Sequence, residues 1–463
     1  MKQKLSIKNY LLIGSMLFGL FFGAGNLIFP IFMGQQAGGN VWQAIFGLVS
    51  TGVVLPFLGV VAMGLSKTNG LFQLASKVHK SFAYIFTIAL YLTIGPFFAL
   101  PRLATVPYEV GLTTLVGDQY NTIGLAIFSI LFFAVAIFYA LRPSSIVTSV
   151  GKVLNPLFLA FLSILFITAF INPMGPVQGT EALGGYSDSA FFTGFIEGYN
   201  TMDALASLAF GVIVINSIKQ LGIEDPSQIA LNTLKSGVVT LALMAVIYGA
   251  LAVMGTASLG SIDSLENGGL ILAAISSHYF GNLGNILLSV IVILACLKTA
   301  IGLIIACSEM FVKMFPNTFS YNVYVFIFGV VTTLIANVGL TAIIAYSLPV
   351  LMLLYPLAIT LIIISLIAPF VGDRRITYVT SIVLVIPVAI ADFLAQAVEL
   401  GIIGNQVNSY VDFIYSITPF SEIGMGWGVP AMIGTILGII LAFVTKGPHL
   451  GNQFQKEAAA QEL

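Results

Sequence analysis

Charge is what this chain has least of. Asp, Glu, Lys and Arg make up 8% of its 463 residues, against roughly 25% in soluble domains. Hydrophobic residues make up 58% and the mean hydropathy is +1.04. An ordinary soluble domain is thereby excluded, and a polytopic membrane protein is implied. A formal net charge of −1 offers no basic surface to a nucleic acid. Cysteine is nearly absent: Cys296 and Cys307 stand 11 apart in one apolar run. On a helix that is about 16 Å, too far for a disulfide. His79, His278 and His449 fall in expected loops, far apart, without an HExxH-type ligand spacing. No Gly-x-Ser-x-Gly run, phosphate loop or His/Cys/Asp cluster marks an enzyme. The repeated pore helices or charged rings of a channel are missing too.

What is there is apolar sequence in lengths of about 20 residues, enough to cross a bilayer. Twelve such runs are expected: 9–34, 41–65, 81–101, 120–141, 150–172, 193–217, 233–257, 283–312, 320–338, 341–368, 376–400 and 427–445. Lys2, Lys4 and Lys8 before the first run suggest a signal peptide. The run is too long, however, holds Asn26 and Pro30, and lacks an A-x-A site, so it reads as an uncleaved first helix. With the N-terminus cytoplasmic, twelve spans put 15 of the 17 Lys and Arg on the cytoplasmic side. Arg102 falls outside and Lys298 within the membrane. The loops at 173–192, 258–282 and 401–426 carry acids but no Lys or Arg. This asymmetry follows the positive-inside rule and places both termini, including a polar tail at 446–463, in the cytoplasm.

Two of the runs are interrupted. The first contains Gly23-Ala24-Gly25-Asn26 and Pro30, residues that weaken helix. Gly19 and Gly23 also make a small-xxx-small pair, so helix packing is the other reading. The sixth contains Glu197, Gly198, Asn200, Asp203, Ser207 and Gly211. Glu197 reads as a loop residue at the interface and Asp203 as a buried polar group, since an acid at membrane depth is costly. Spans 1–5 cover 9–172 and spans 6–10 cover 193–368, nearly equal lengths. An odd number of spans per half inverts one half against the other. Interrupted helices at matching positions of inverted halves point to a transporter's binding site.

The runs Gly23-Ala24-Gly25-Asn26-Leu27-Ile28-Phe29-Pro30, Gly95-Pro96-Phe97-Phe98-Ala99-Leu100-Pro101-Arg102, Glu197 to Gly211, and Ala295-Cys296-Leu297-Lys298-Thr299-Ala300-Ile301-Gly302-Leu303 resemble the bacterial branched-chain amino acid:cation symporters, the BrnQ-type carriers of the amino acid-polyamine-organocation superfamily. The resemblance covers essentially the whole chain. It implies an all-α polytopic membrane protein of about 12 transmembrane helices. These form an inverted 5+5 repeat of the leucine-transporter type with broken helices 1 and 6, plus helices 11 and 12. The first repeat is then 1–172, the second 193–368, and helices 11–12 lie in 376–445. It implies import of leucine, isoleucine and valine across the bacterial cytoplasmic membrane by alternating access, with Na+ or H+ co-transported and no other cofactor. Partners are then the amino acids and the lipid bilayer; nothing indicates an oligomeric state.

By the same resemblance, the substrate site is formed by Gly23, Ala24, Gly25 and Asn26 and by a break at Ser207, Leu208, Ala209, Phe210 and Gly211. N–H groups from Ala24 to Asn26 hold the substrate carboxylate, and carbonyls around Ser207 and Leu208 hold its ammonium. Phe97, Phe98, Phe210, Leu208 and Phe22 are candidates for an apolar pocket. Sodium-coupled relatives hold an ion between the first break and two adjacent hydroxyl residues on span 8. The matching positions here are Gly19, Phe22, Ala295, Lys298 and Thr299, with Lys298 where a hydroxyl is expected. Either the Lys298 ammonium fills the cation site, giving a proton-coupled or uncoupled permease for this or another amino acid or nucleobase, or Lys298 pairs with an acid such as Asp203 and leaves Na+ on Thr299 and backbone. Asn26 is a second-cation ligand or a half-helix cap. Arg102 and Glu109 are expected to pair at the outer end of span 3, as a surface pair or a gate.

Overall fold

The computed structural model describes residues 6–66, 68, 70–142, 159–223 and 225–445. The start of the fifth expected span and the polar tail lie outside the described residues. Every regular element among the described residues is helical.

Span 1 is two helices, Ile7–Phe21 and Gly25–Ala37, parted where the sequence is richest in glycine. Pro30 sits inside the second helix; lacking an N–H, it leaves the Asn26 carbonyl without its i+4 donor. Span 2 runs from Val41 to Leu65 through a π-helical turn at Ser50–Val54. Span 3 joins Lys80–Leu92 to Ala99–Gly111 through a π-helical turn at Thr93–Phe97, where Gly95 and Pro96 break the helical pattern. Span 4 is Asn121–Leu141, and span 5 is described over Leu159–Ile171. Span 6 consists of Tyr186–Glu197, a 3-10 turn at Gly198–Thr201, and Asp203–Gln220, bent by 47°. Span 7 is Pro226–Ser258. Gly281, at φ 59°, divides Gly268–Met314 into a shorter first helix, the pre-span helix, and span 8. Spans 9 to 12 are Tyr321–Ala336, Leu340–Val371, Arg375–Glu399 and Gly428–Thr445. His278 therefore lies on the pre-span helix rather than in a loop, while His79 caps span 3 by accepting from Ser81 N–H.

Seven of these stretches are long and apolar enough to cross a membrane alone, and eight with the bent pair of span 6. Broken span 1 and the shorter apolar helices of spans 5, 9 and 12 supply the other segments expected from the sequence. Ile123, Ile127 and Leu131 line one exposed face of span 4. Such a face suits lipid, which exacts no cost for exposed hydrocarbon.

Close glycine contacts fix the directions of the central helices. Gly14 and Gly34 of span 1 abut Ser236 and Ala252 of span 7, so these two run parallel. Gly64 and Gly52 of span 2 abut Ala230 and Tyr248, so span 2 runs against them. Gly194 abuts Ala44, and Gly211 abuts Val60, so span 6 runs with span 2. Spans 1 and 6 therefore run in opposite directions, as do spans 2 and 7. The seams are tight: a Cβ on Gly34 would lie 1.9 Å from the Ala252 carbonyl oxygen, and one on Gly255 2.0 Å from that of Ile31. Gly23 has no such neighbour; its Cβ would meet only Asn26 Oδ1, at 3.6 Å. The packing reading of Gly23 is thus replaced by one in which it borders open space.

Candidate substrate and cation site

The break in span 6 is not where the sequence suggested. Ser207-Leu208-Ala209-Phe210-Gly211 lies inside the helix Asp203–Gln220, where carbonyls are taken by the helix's own N–H groups. Ser207 Oγ donates to the Ala204 carbonyl and packs on Gly59. Leu208 is fully buried, and the Ala209 carbonyl accepts from Tyr91 OH at 3.2 Å. Gly211 packs against Val60 and Met63. The chain instead breaks at Met202, held at φ 59°, a left-handed conformation that is uncommon for any residue but glycine. The 3-10 turn before it ends the first half-helix and leaves carbonyls without α-helical partners.

The two breaks meet. Gly25 Cα approaches Thr201, whose Cα would lie 3.7 Å from an added Cβ. The Asn26 amide donates to Asp203 Oδ2 at 2.5 Å and to Tyr248 OH of span 7, while its Oδ1 accepts from Gly23 N–H at 2.7 Å. Tyr248 OH also donates to Asp203 Oδ2, at 3.2 Å. Asp203 is 4% exposed, so the buried role expected for it holds; Glu197 is half-buried at the end of its helix.

Between the breaks lies a cavity of about 80 Å3. Gly23, Ala24, Gly25 and Asn26 border it from span 1, and Asn200, Thr201, Met202, Asp203, Ala206 and Phe210 from span 6. Ile94, Ala99, Arg102 and Leu103 border it from span 3, and Thr299 and Leu303 from span 8. A second cavity, of about 30 Å3, adjoins it through Gly23, Ala24 and Thr299. Gly19, Phe22, Ala295, Lys298 and Thr299 all line that second space, together with Phe18, Leu27 and Cys296. Thr299 Oγ1 donates to the Ala295 carbonyl at 3.2 Å.

Several expected partners are not brought together. Phe97 is 40% exposed and stacks edge-on against Phe98 rather than entering the cavity. Lys298 does not pair with Asp203: the two line different cavities, and the one ion pair among the described residues is Lys77 with Asp373. Arg102 does not pair with Glu109, seven residues on, which is about 10 Å along a helix. Its Nη1 donates to the Asn200 carbonyl at 2.8 Å, its Nη2 to Ser347 Oγ, and its guanidinium lies 5.1 Å from the Phe29 ring centre. Glu109 faces Gly269 at the start of the pre-span helix. Sequence reasoning missed Asn200, Thr201, Met202 and Tyr248 as parts of the site. The run Gly198-Tyr199-Asn200-Thr201 carried the only signal, polar residues beside a glycine just ahead of Asp203.

A half-helix that starts at Gly25 presents N–H groups without intrahelical partners and a partial positive charge. The half-helix ending at Thr201 presents carbonyls and the opposite charge. One cavity thus offers both signs of backbone charge to one small polar ligand, with apolar walls from Ile94, Leu103, Phe210 and Leu303.

The family model described as "Branched-chain amino acid transport protein" matches residues 6–445. The branched-chain amino acid permease BrnQ of Lactobacillus delbrueckii subsp. lactis is 45% identical over 96% of this chain and 98% of its own. BrnQ of Bacillus subtilis (strain 168) is 43% identical over 96% of this chain and 100% of its own, and BraB of the same organism 40% over 95% and 97%. Among solved structures, the inward-facing conformation of Mhp1 matches with a TM-score of 0.61 at 16% identity, over 94% of this chain and 91% of that one. Mhp1 in a closed conformation with bromovinylhydantoin bound, titled a nucleobase-cation-symport-1 family transporter, also scores 0.61, at 14% identity over 96% of both. At such identity the likeness speaks for the fold alone: an inverted-repeat membrane bundle with helices 1 and 6 broken. The end-to-end family match and the permease relatives settle the rest: this chain belongs to the branched-chain amino acid transport protein family, and is a transporter rather than an enzyme.

Proposed function

We propose that this protein imports leucine, isoleucine and valine across the bacterial cytoplasmic membrane by cation symport, alternating access to the cavity between its two helix breaks. One observation carries the reading: two antiparallel broken helices border a single cavity with N–H groups on one side and carbonyls on the other. That arrangement suits a zwitterion, and the relatives named above are branched-chain amino acid permeases. Apolar walls separate ligands differing by one methylene by only about 1–3 kcal/mol, so three branched side chains share one site. Polar side chains are rejected by their desolvation cost. The substrate site comprises Gly23, Ala24, Gly25, Asn26 and Phe210 of the expected set, with the half-helix end at Asn200 and Thr201 in place of Ser207–Gly211.

The co-transported cation belongs in the second cavity. Carbonyls of Gly19, Phe22 and Ala295 and the hydroxyl of Thr299 suit Na+; the alternative occupant is the Lys298 ammonium, with coupling to H+. The repeats fall at 1–172 and 193–368, with helices 11 and 12 in 376–445. Both termini face the cytoplasm, because that orientation puts the Lys and Arg loops inside. One cation crossing about 100 mV gains about 2.3 kcal/mol, and a tenfold gradient adds about 1.4 kcal/mol. Together they drive roughly 500-fold accumulation of a neutral zwitterion.

Leucine uptake into proteoliposomes tests the proposal, first under an imposed sodium gradient and then under a proton gradient. Stimulation by sodium favours Na+ as the occupant of the second cavity. Stimulation by protons alone favours the Lys298 ammonium. Uptake that responds to neither gradient, or that excess isoleucine and valine fail to inhibit, overturns the proposal.

A further inference from the structure

Arg102 is the one guanidinium that borders the cavity between the breaks. It is 3% exposed, and a buried cation without a counter-charge is expensive. Yet it forms no ion pair. Glu197 acts on it only at longer range, and Glu109 lies elsewhere. Its two contacts are uncharged, the Asn200 carbonyl and the Ser347 hydroxyl. Its Nε–H is buried and donates to nothing among the described residues. The chain therefore keeps a full positive charge in the wall of its binding cavity, and behind it one donor without a partner among the described residues.

The position of that charge says what it is for. The guanidinium lies over Phe29. The Phe29 ring in turn lies back against Gly25, where an added Cβ would be 3.1 Å from it. Arg102 is thus beside the first turn of the half-helix Gly25–Ala37, whose unpaired N–H groups and positive dipole end open into the same cavity. A helix N-terminus and a guanidinium converging on one small space make a site for an anion. A carboxyl group is also present: Asp203, buried, borders the cavity, and both hydrogen bonds it accepts from Asn26 and Tyr248 fall on Oδ2.

We infer that Arg102 reads the carboxylate of the transported amino acid, adding its Nε–H and its charge to the N–H groups of Ala24, Gly25 and Asn26. The inference rests on the proposal that the substrate lies between the breaks. It makes Arg102 a specificity-determining residue: the cavity rejects ligands that keep the branched side chain and the ammonium but lack the anionic end. In the absence of substrate the same side chain ties span 3 to spans 6 and 10. Arrival of a carboxylate then gives the guanidinium its missing counter-charge without releasing either contact.

The test is equilibrium binding of radiolabelled leucine to the purified full-length protein, with leucine, leucinamide and 4-methylpentanoate as competitors. The native protein should prefer leucine to leucinamide by on the order of 10- to 100-fold, the worth of a charge-assisted hydrogen bond. Arg102→Gln should lower leucine affinity by a similar factor, leave leucinamide affinity nearly unchanged and so erase the preference. Arg102→Lys should restore part of it. Ser347→Ala, which loosens the tie to span 10 but keeps the charge, should leave the preference intact. Equal weakening of leucine and leucinamide by Arg102→Gln would mark a closure role only and overturn the inference, as would a native protein that binds leucinamide as well as leucine, a result that does not depend on any variant folding. If the native protein bound no leucine at all, the transport proposal itself would fall, and this inference with it.

Discussion

The Asn26 side-chain amide donates to the Asp203 carboxylate at 2.5 Å, joining two helix breaks that lie 177 residues apart in the chain. Tyr248 of span 7 shares both partners. A hydrogen bond to a charged group contributes about 1.5–3 kcal/mol. Asp203→Asn keeps the shape but loses the charge and presents a second amide to Asn26. Leucine uptake should fall by on the order of tenfold or more, with the melting temperature in detergent only modestly lowered. Asn26→Asp would set two carboxylates together and should be worse on both measures. A double-mutant cycle across Asn26 and Asp203 reads the coupling directly; additive effects would contradict the junction.

Glycine seams give a stability prediction with an internal control. Gly34→Ala and Gly255→Ala each drive a methyl group into a carbonyl oxygen of the facing helix. Backbone cannot move aside as a side chain does, so each should cost about 1–3 kcal/mol or more, seen as a lower melting temperature and reduced yield of monodisperse protein. Gly23→Ala meets only Asn26 Oδ1 at 3.6 Å and should leave stability nearly unchanged while altering uptake, because it narrows both cavities.

Lys77 is fully buried, whereas Asp373 retains 20% side-chain exposure. The Lys77 ammonium also donates to the Ser66 carbonyl and to Tyr378 OH. Removing the acid strands a buried charge; removing the lysine leaves an acid that water still reaches. Asp373→Ala should therefore destabilise by about 3–5 kcal/mol, more than Lys77→Met, and the double variant should recover part of the loss. Thermal unfolding of the three proteins in one detergent checks the order.

Lys298→Thr recreates the adjacent hydroxyl pair beside Thr299. In either reading of the second cavity it favours sodium: it vacates the space if the ammonium fills it, and it removes like-charge repulsion if sodium does. Two charges about 5 Å apart at an effective dielectric near 20 repel by about 3 kcal/mol. Sodium stimulation of leucine uptake should therefore appear, or shift to at least about tenfold lower sodium concentration. Unchanged sodium dependence would remove Lys298 from the cation site.

The membrane spans were legible because their cause is local. About 20 apolar residues must be helical in lipid, and among the described residues the observed ends fall within a few residues of the expected ones except in span 3, which continues to Gly111 beyond its prolines, and in spans 6 and 7, which each start seven residues early, at Tyr186 and Pro226. The break in span 1 was legible for the same reason: Gly23, Gly25 and Pro30 act through their own backbones. The break in span 6 was misplaced because Met202 carries no such mark. Its left-handed conformation has no glycine to announce it, in a side chain that is buried, and Ser207–Gly211 drew attention through likeness to a motif. Arg102 was misread on the same ground. Its partners are a carbonyl on span 6, a hydroxyl on span 10 and a ring on span 1, none of them visible from spacing along span 3.

The glycine seams have a mechanical consequence. Spans 1, 2, 6 and 7 touch one another backbone to backbone at Gly34, Gly194 and Gly255, and Gly59 and Gly237 lie directly against the Ser207 and Phe57 side chains, so little soft material remains between them to be compressed. Such a unit tilts as a lever instead of bending. The compliance of the protein is then concentrated where that lever faces spans 3 and 8, across Ala24 and Thr299. There the walls are side chains around open space, and sliding costs least. A small rotation of the lever changes the volume of both cavities at once, which makes the amount of ligand and the angle of the bundle two readings of one coordinate.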